Sequence, residues 1–185
     1  MRIIFGVESR RTHPKRLAKV ISFHLPIAKE WQPEPLSGEG NNMHHKSLED
    51  ISKRMAGIDI AILSTHTENG QIANRPMSNN GDVKYDGTSY YFTFEQARTV
   101  ADIESNNKVA LGFTSQGGIF SDAIYVAVEG KAELIRDKET FKAHWTSDLD
   151  RWFVNGVDTP NIVLIKVKAT RITCWDGEDE GQVIV

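Results

Sequence analysis

Tight turns separate short stretches of β-branched and aromatic residues along most of this 185-residue chain. The clearest is the pair Asn69 and Gly70, which lies between two such stretches at residues 58–65 and 72–78. Asn-Gly is the pair that two-residue hairpins prefer. Hairpins join antiparallel strands, whereas parallel strands need a crossover of about a dozen residues or more. The sequence therefore predicts antiparallel pairing and argues against a doubly wound parallel sheet.

The rest of the chain extends this pattern. Gly130 interrupts a long alternating stretch and predicts a bend or bulge there. Only short helices fit between the strands, at 47–56 and 96–105, after Asp137, and around Trp152. Further strands are predicted at residues 83–85, 89–94, 108–114, 123–135 and 161–175. We therefore expect a mainly β protein with short helices, built as a six-stranded antiparallel split β-barrel.

The first 42 residues differ from the remainder. Residues 31–42 combine prolines and glycines with few apolar side chains, which offers little burial to offset the entropy of ordering. We expect residues 1–42 to form a flexible tail and residues 43–185 to form the folded domain. Because Met43 directly precedes the first patterned helix, a second hypothesis is that natural translation begins there and that the tail is not part of the natural chain.

Charge and cysteine content exclude several classes of function. Residues 43–185 carry a net charge of −6, which gives no broad field for nucleic-acid phosphates. No run of about 18 apolar residues is present, so we expect no membrane span. Cys174 is the single cysteine, which excludes an intramolecular disulfide and a cysteine-built zinc site. These features favour a cytoplasmic protein.

Two segments carry the residues most suited to ligand binding. Arg75 precedes Pro76, and a proline cannot donate to a strand ladder, so backbone groups near it are expected at an edge or bulge. Arg98 and Thr99 lie where a strand gives way to a helix, and a helix start offers free amide donors. Guanidinium groups and amides together are suited to phosphate. The alternative is that Arg75 and Arg98 are surface arginines in weak ion pairs.

The order of these segments resembles the flavin-binding split-barrel superfamily typified by pyridoxamine 5'-phosphate oxidase, and most closely its general stress protein branch. The resemblance runs from Leu48 to about Trp175. It rests on the following segments in this order: Arg75-Pro-Met77 after the Asn-Gly hairpin, Tyr91-Phe-Thr93, the helix at 97–106, Tyr125-Val-Ala-Val-Glu-Gly130, Trp152-Phe153, residues 161–167, and Cys174-Trp-Asp176.

The resemblance implies a homodimer that holds flavin mononucleotide (FMN) at the subunit interface. Residues 75–78 would run along the flavin, Phe92 and Thr93 would contact it through backbone and hydroxyl, and Arg98 with Thr99 would bind its phosphate. Trp152 is a further candidate, flanking the flavin from the partner subunit. The predicted cofactor-binding set is Arg75, Pro76, Met77, Ser78, Phe92, Thr93, Arg98, Thr99 and Trp152. No catalytic acid or base and no metal ligand is identified.

The chain also departs from the pattern of its relatives. Thr99 stands where many members have lysine, so Arg98 would carry more of the phosphate contact. Asn80 replaces a phosphate-site lysine of the oxidase, and Ile124-Tyr125 replaces an Arg-Gln pair. These departures argue against pyridoxamine 5'-phosphate as the substrate. The resemblance implies an FMN-dependent oxidoreductase that takes electrons from a reduced nicotinamide cofactor, NAD(P)H. The alternatives are a non-catalytic flavin or deazaflavin binder and, less favoured, a pyridoxamine 5'-phosphate oxidase.

Other conspicuous residues are interpreted as structural. His44 and His45 are adjacent at the expected start of the first helix and do not make a metal site. His66 and His144 lack a partner acid at recognisable spacing and are expected to be surface or packing residues. Cys174 is expected to be buried. Trp145 and Phe153 are expected to pack in a core or in a dimer interface, and residues 178–180 to form a solvated tail.

Overall fold

The fold is described by a computed structural model for residues 44–79, 84–115, 123–177 and 179–185. The predicted flexible tail at 1–42, the proposed start at Met43 and the departure at Asn80 lie outside these described residues.

Short strands and shorter helices account for most of the described chain. The strands are β1 (His44–His45), β2 (Ile60–His66), β3 (Ile72–Ser78), β4 (Thr88–Phe94), β5 (Lys108–Ser115), β6 (Ile124–Ile135), β7 (Ile162–Asp176) and β8 (Asp179–Ile184). The helices are α1 (Leu48–Met55), α2 (Arg98–Ser105) and α3 (Lys138–His144), with 3-10 turns at Ser147–Arg151 and Gly156–Asp158.

The strands form one sheet in the order β1-β8-β7-β6-β5-β2-β3, and β4 pairs with β7. All pairings are antiparallel except the short β1 with β8. The predicted class, mainly antiparallel β with short helices, is confirmed. Within the described residues β3 pairs only with β2 and β4 only with β7, so each of these two strands keeps one edge free of strand partners.

The strand count differs from the predicted six, because the described residues form eight strands. The predicted solvated tail at 178–180 is wrong for Asp179 and Glu180, which begin β8 and pair with Asp176 and Trp175 of β7. The acidic composition of this segment does not predict a strand, because the strand is stabilised by its backbone pairing with β7. The predicted strand at 83–85 is absent from its described part, since Lys84 and Tyr85 are irregular.

Alternating residues of the strands build the main hydrophobic core, with Leu63, Leu111, Val128 and Ile172 essentially inaccessible to solvent. A second, smaller cluster forms where α3 and the following turns cover β4 and the start of β7. The predicted irregularity at Gly130 is confirmed as a register shift between β6 and β7. A Cβ at Gly130 would lie 2.6 Å from the carbonyl oxygen of Lys168, so only glycine fits there.

The helices form close to their predicted positions. Ser47 caps α1 by accepting a hydrogen bond from the backbone amide of Asp50 at 3.1 Å, and Asp137 caps α3. α2 begins at Arg98, two residues later than predicted, because the chain first makes a turn closed by the Ala97 amide and the Phe94 carbonyl at 2.9 Å. None of the described helices has the length and apolar character needed to cross a lipid bilayer.

Candidate functional site

A buried carboxylate, that of Asp102, joins the two arginines that the sequence singles out. Thr65 Oγ1 donates to Asp102 Oδ2 at 2.6 Å, and Arg75 Nη2 donates to the same oxygen at 3.1 Å. Arg75 Nη1 also donates to Thr65 Oγ1 at 2.7 Å, which closes a triangle of hydrogen bonds. Arg98 Nε lies 3.8 Å from the other carboxylate oxygen, Oδ1. The guanidinium groups of Arg75 and Arg98 therefore face one point in the fold.

The local structure explains this convergence. Arg75 of β3 lies opposite the buried Leu63 of β2, so both face inward, and Thr65 is the next inward residue along β2. On α2, Arg98 and Asp102 are four residues apart and so lie on one side of the helix. α2 packs against β2 and β6, and this contact places the carboxylate of Asp102 beside Thr65.

The two arginines differ in their freedom to bind a ligand. The Arg75 side chain is 19% exposed and is held by Thr65 and Asp102. The Arg98 side chain is 67% exposed and touches Asp102 only loosely. Ala97, which precedes α2, caps the helix with no side-chain hydrogen bond, and the first turn of α2 has no acidic residue. The start of α2 therefore presents amide donors next to the exposed guanidinium group of Arg98, and such an arrangement suits an anion.

The remaining predicted residues of β3 alternate between the two faces of the sheet. Pro76 and Ser78 are exposed, whereas Met77 faces inward, is partly buried and packs against the main core. Thr99 is buried at the start of α2, 8% exposed. The segment 75–78 thus has an arginine fixed on the inner side and two exposed residues on the outer side.

The ring of Phe92 packs within the protein, and the predicted contact of this segment with a ligand is through the backbone. This ring packs edge-on against Phe141, Trp145 and Phe153, with centroid distances of 5.6, 5.0 and 6.2 Å. The Phe92 side chain is therefore committed to the second core, and its backbone at the edge of β4 is the part available to a ligand. Thr93, the next residue, is half-buried and pairs with Val163 of β7.

A cavity of about 350 Å³ opens between the end of β3, β4 and the α3 segment. Ser78 and Phe92 of the predicted site contribute to its wall, together with Tyr90, Tyr91 and Trp145. Burial raises the pKa of Tyr91 to about 12, so this phenol remains protonated across the physiological range. The cavity joins one part of the predicted site but does not include Arg75 or Arg98.

Trp152 belongs neither to the cluster of Arg75, Asp102 and Arg98 nor to the cavity beside β4. It is 62% exposed, and Arg151 lies over its ring with a distance of 5.4 Å from Cζ to the centroid. Phe153 is buried and Trp145 packs beside it, as predicted for these two aromatic residues. Among the described residues of one copy, Trp152 has no packing role comparable to that of Trp145 and Phe153.

An exposed ion-pair network holds α2 in position. Arg136, which follows β6, donates from Nε to Glu95 at 2.9 Å and from Nη2 to Glu104 at 2.8 Å. Its hydrogen bonds lower the pKa of Glu95, which keeps this carboxyl ionised. Because Glu95 precedes α2 and Glu104 lies near its end, Arg136 fixes both ends of the helix against β6.

Sequence reasoning missed Asp102 and Thr65. The signal available for Asp102 is its spacing, four residues after Arg98 on the helix face that also carries the apolar Ile103 and Val100. Thr65 occupies an inward position of an alternating strand, where a hydroxyl needs a partner. Neither signal identifies the other residue, because their sequence separation is 37.

The other conspicuous residues take structural places. Cys174 is fully buried, as predicted. His144 stacks on Tyr90 with ring centroids 3.7 Å apart, and burial together with nearby Lys166 lowers its pKa. His44 and His45 lie in β1 rather than at the start of α1, which corrects their predicted position. In the described portion of the chain, no three histidine, cysteine or acidic side chains converge on a possible metal position.

Comparison with known proteins identifies the family. Residues 46–185 match the family model described as pyridoxamine 5'-phosphate oxidase like. The chain belongs to the pyridoxamine 5'-phosphate oxidase-like family. This finding confirms the resemblance that the sequence motifs suggest.

Relatives within this family agree in sequence and in fold. The chain is 34% identical over 102 residues to general stress protein 26 of Bacillus subtilis, covering 54% of this chain and 70% of that protein. The crystal structure of a related protein from Clostridium acetobutylicum superposes with a TM-score of 0.63 at 19% identity, covering 75% and 94% of the two chains. A general stress FMN/FAD binding protein from Xanthomonas citri gives a TM-score of 0.59 at 20% identity, covering 71% and 89%.

Proposed function

We propose that the chain binds FMN between two copies of itself and acts as an oxidoreductase that takes electrons from NAD(P)H, as a cytoplasmic protein. The observation that carries this proposal is the convergence of Arg75 and Arg98 on Asp102 at the uncapped start of α2. A general stress relative described as binding FMN or FAD supports a flavin as the ligand.

The donor set fits the phosphate end of FMN. A phosphate dianion is best held by charge-assisted hydrogen bonds from guanidinium and amide groups. Arg98 is exposed enough to turn toward such a group, and the first amides of α2 lie beside it. Asp102, 5% exposed and 3.1 Å from Arg75 Nη2, would hold the Arg75 guanidinium in place.

The free edges of β3 and β4 fit the rest of the flavin. Unpaired amides and carbonyls on these edges can accept or donate to a planar heterocycle without competing with the sheet. Ser78 lies three residues beyond Arg75, about 10 Å along an extended strand. In this proposal the phosphate lies at Arg98 and the ring lies farther along the β3 edge, toward Ser78 and Phe92.

An apolar sheet face supports the dimer. Ile62, Gly112 and Ala127 lie in one cross-strand row on the outer face, and the next row contains Tyr125 and Trp175, 54% and 38% exposed. A Cβ at Gly112 would meet nothing within 4 Å. Large side chains thus surround the small residues Gly112 and Ala127. An exposed surface of this kind is typical of an interface that a second copy covers.

Each residue then has a definable role. When bound, FMN supplies hydride transfer between a nicotinamide and an acceptor. Arg98 and the α2 amides bind the phosphate, Asp102 and Thr65 orient Arg75, and Arg136 positions α2. The exposed Trp152 would cover the flavin from the partner subunit and exclude water.

Turnover separates this proposal from its alternatives. Flavin-loaded protein is mixed with NADH or NADPH, and the loss of absorbance of the nicotinamide is compared with that in free FMN at equal concentration. We expect faster oxidation with the protein. A rate equal to that of free flavin would favour the alternative of a flavin or deazaflavin binder without activity. Formation of pyridoxal 5'-phosphate from pyridoxamine 5'-phosphate would instead identify the oxidase activity.

A further inference from the structure

Three lysines form a continuous row across the outer face of the sheet. Lys108 of β5 pairs directly with Lys131 of β6, and Lys131 pairs directly with Lys168 of β7. All three are exposed. Residues opposite each other in an antiparallel sheet point to the same side with Cβ atoms about 5 Å apart. Three ammonium groups therefore span about 10 Å on one surface.

Within the described part of the chain, the backbone amide of Lys108 donates to Asn106, but none of the three side-chain ammonium groups has a hydrogen bond or ion pair. The acidic residues in neighbouring rows are already engaged, because Glu129 lies 3.7 Å from Arg171 and Glu133 lies 3.7 Å from Lys166. Like charges placed directly opposite one another destabilise a sheet. A body with a net charge of −6 over residues 43–185 thus keeps three unpaired ammonium groups in one row, flanked by the carboxylates of Glu129 and Glu133.

A concavity lies beside this row. A cavity of about 300 Å³ has Lys108, Lys131 and His66 in its wall. Ser64 and Thr170 also line it, and their hydroxyls donate to Asn74 Oδ1 at 2.7 Å and to the Glu129 carbonyl at 3.1 Å. The cavity lies where the register of β6 and β7 shifts next to Gly130, and this bulge leaves Thr170 between the paired residues. Glu129 is the acidic residue of the wall. The lysine row therefore borders a recess with further polar groups.

We propose that Lys108, Lys131 and Lys168 bind a multiply charged phosphate anion of the polyphosphate or diphosphate class, with the recess at His66 and Ser64 receiving one end. A chain of linked phosphates matches the length of the row, and each ammonium group supplies a charge-assisted hydrogen bond. The same chemistry occurs in free polyphosphate and in the diphosphate of a nucleotide. This site is separate from the phosphate position proposed at Arg98.

The test uses the full chain and sodium tripolyphosphate as the probe. Binding is measured by isothermal titration calorimetry, with sodium chloride of equal ionic strength as the reference. The variant combines Lys108→Gln, Lys131→Gln and Lys168→Gln. A matched variant combines Lys53→Gln, Lys138→Gln and Lys142→Gln, which removes the same charge from α1 and α3. We expect the first variant to lose about tenfold or more in affinity and the second to bind as the native protein does.

Two further measurements make the result decisive. Without ligand, the lysine-row variant is expected to unfold at the same or a higher urea concentration than the native protein, because a like-charge row has been removed; this excludes misfolding as the cause of lost binding. Competition with tripolyphosphate by pyridine dinucleotides or by ATP would identify the diphosphate of a nucleotide as the source. Absence of competition would identify free polyphosphate. Equal affinity in the native protein and the lysine-row variant would overturn the proposal. Displacement of tripolyphosphate by FMN would also overturn it, since the row would then be the flavin site.

Discussion

The guanidinium group of Arg75 donates to the buried carboxylate of Asp102 across 3.1 Å, joining β3 to α2. This bond brings together two segments that are 27 residues apart in the sequence. It also fixes the side chain of Arg75 at the point where Arg98 approaches from the helix. The proposed phosphate position is therefore built on an internal ion pair rather than on two independent surface arginines.

Asp102→Asn tests how much the ion pair between Arg75 and Asp102 contributes to stability. The amide keeps the size of the side chain but leaves Arg75 without a buried counter-charge, so we expect a loss of about 1–3 kcal/mol in the free energy of unfolding. Urea denaturation measures it. Asp158→Asn is the control, because Asp158 forms an exposed pair with Lys138 and its loss should leave the midpoint unchanged. Equal urea midpoints for the two variants would show that the buried pair contributes no more to stability than the exposed pair does.

Arg98→Ala tests the proposed phosphate contact. Loss of one charge-assisted hydrogen bond is expected to weaken FMN binding by about 1.5–3 kcal/mol, with little effect on stability because Arg98 is 67% exposed. Quenching of flavin fluorescence on titration measures the affinity. Arg171→Ala, which removes an arginine 51% exposed on β7, is the matched control. An unchanged FMN affinity in Arg98→Ala would place the phosphate elsewhere.

Much of the fold can be predicted from the sequence, because turn chemistry and residue alternation act locally. The hairpin at Asn69-Gly70, the cap at Ser47 and the bulge at Gly130 are each specified by residues close together in the chain. β8 is not predictable in this way, since its acidic start resembles a solvated tail and its ladder forms only with the distant end of β7.

The site is only partly predictable for the same reason. Arg75 and Arg98 stand out as cations beside a proline and a helix start, but their common partner Asp102 depends on how α2 packs against β2. The resemblance implies a backbone contact at Phe92, whereas the packing of its ring in the second core depends on α3 and the residues after it, which are distant in sequence. Contacts between segments that are distant in the sequence, rather than composition, determine where Asp102 and the ring of Phe92 lie.

Ile62→Glu tests the proposed dimer face. Ile62 is 42% exposed in one copy, so a folded monomer tolerates the change, but a carboxylate buried between two copies would be strongly unfavourable. Light scattering after size-exclusion chromatography should show a monomer with reduced flavin content. Val154→Glu, at a side chain 92% exposed and away from this face, should remain dimeric. A dimer in both variants would place the interface elsewhere.

His144 gives a pH-dependent prediction. Burial and Lys166 lower its pKa in the folded state, so protonation is easier in the unfolded chain, where the pKa is about 6.5. The contribution of His144 to the free energy of unfolding is therefore fully present above about pH 6.5, and it decreases as the pH falls below about 6.5. His144→Phe keeps an aromatic ring against Tyr90 but cannot titrate. Between pH 7.5 and pH 5.5, the native protein should lose more stability in urea denaturation than the variant does. Equal losses would contradict this assignment.

The most direct test of the central proposal is native mass spectrometry of the freshly purified protein, before and after addition of FMN. The account predicts a dimer that carries one FMN per chain, released as free FMN on denaturation and greatly reduced in Arg98→Ala. A monomer that contains no flavin and takes up none when FMN is added would contradict it.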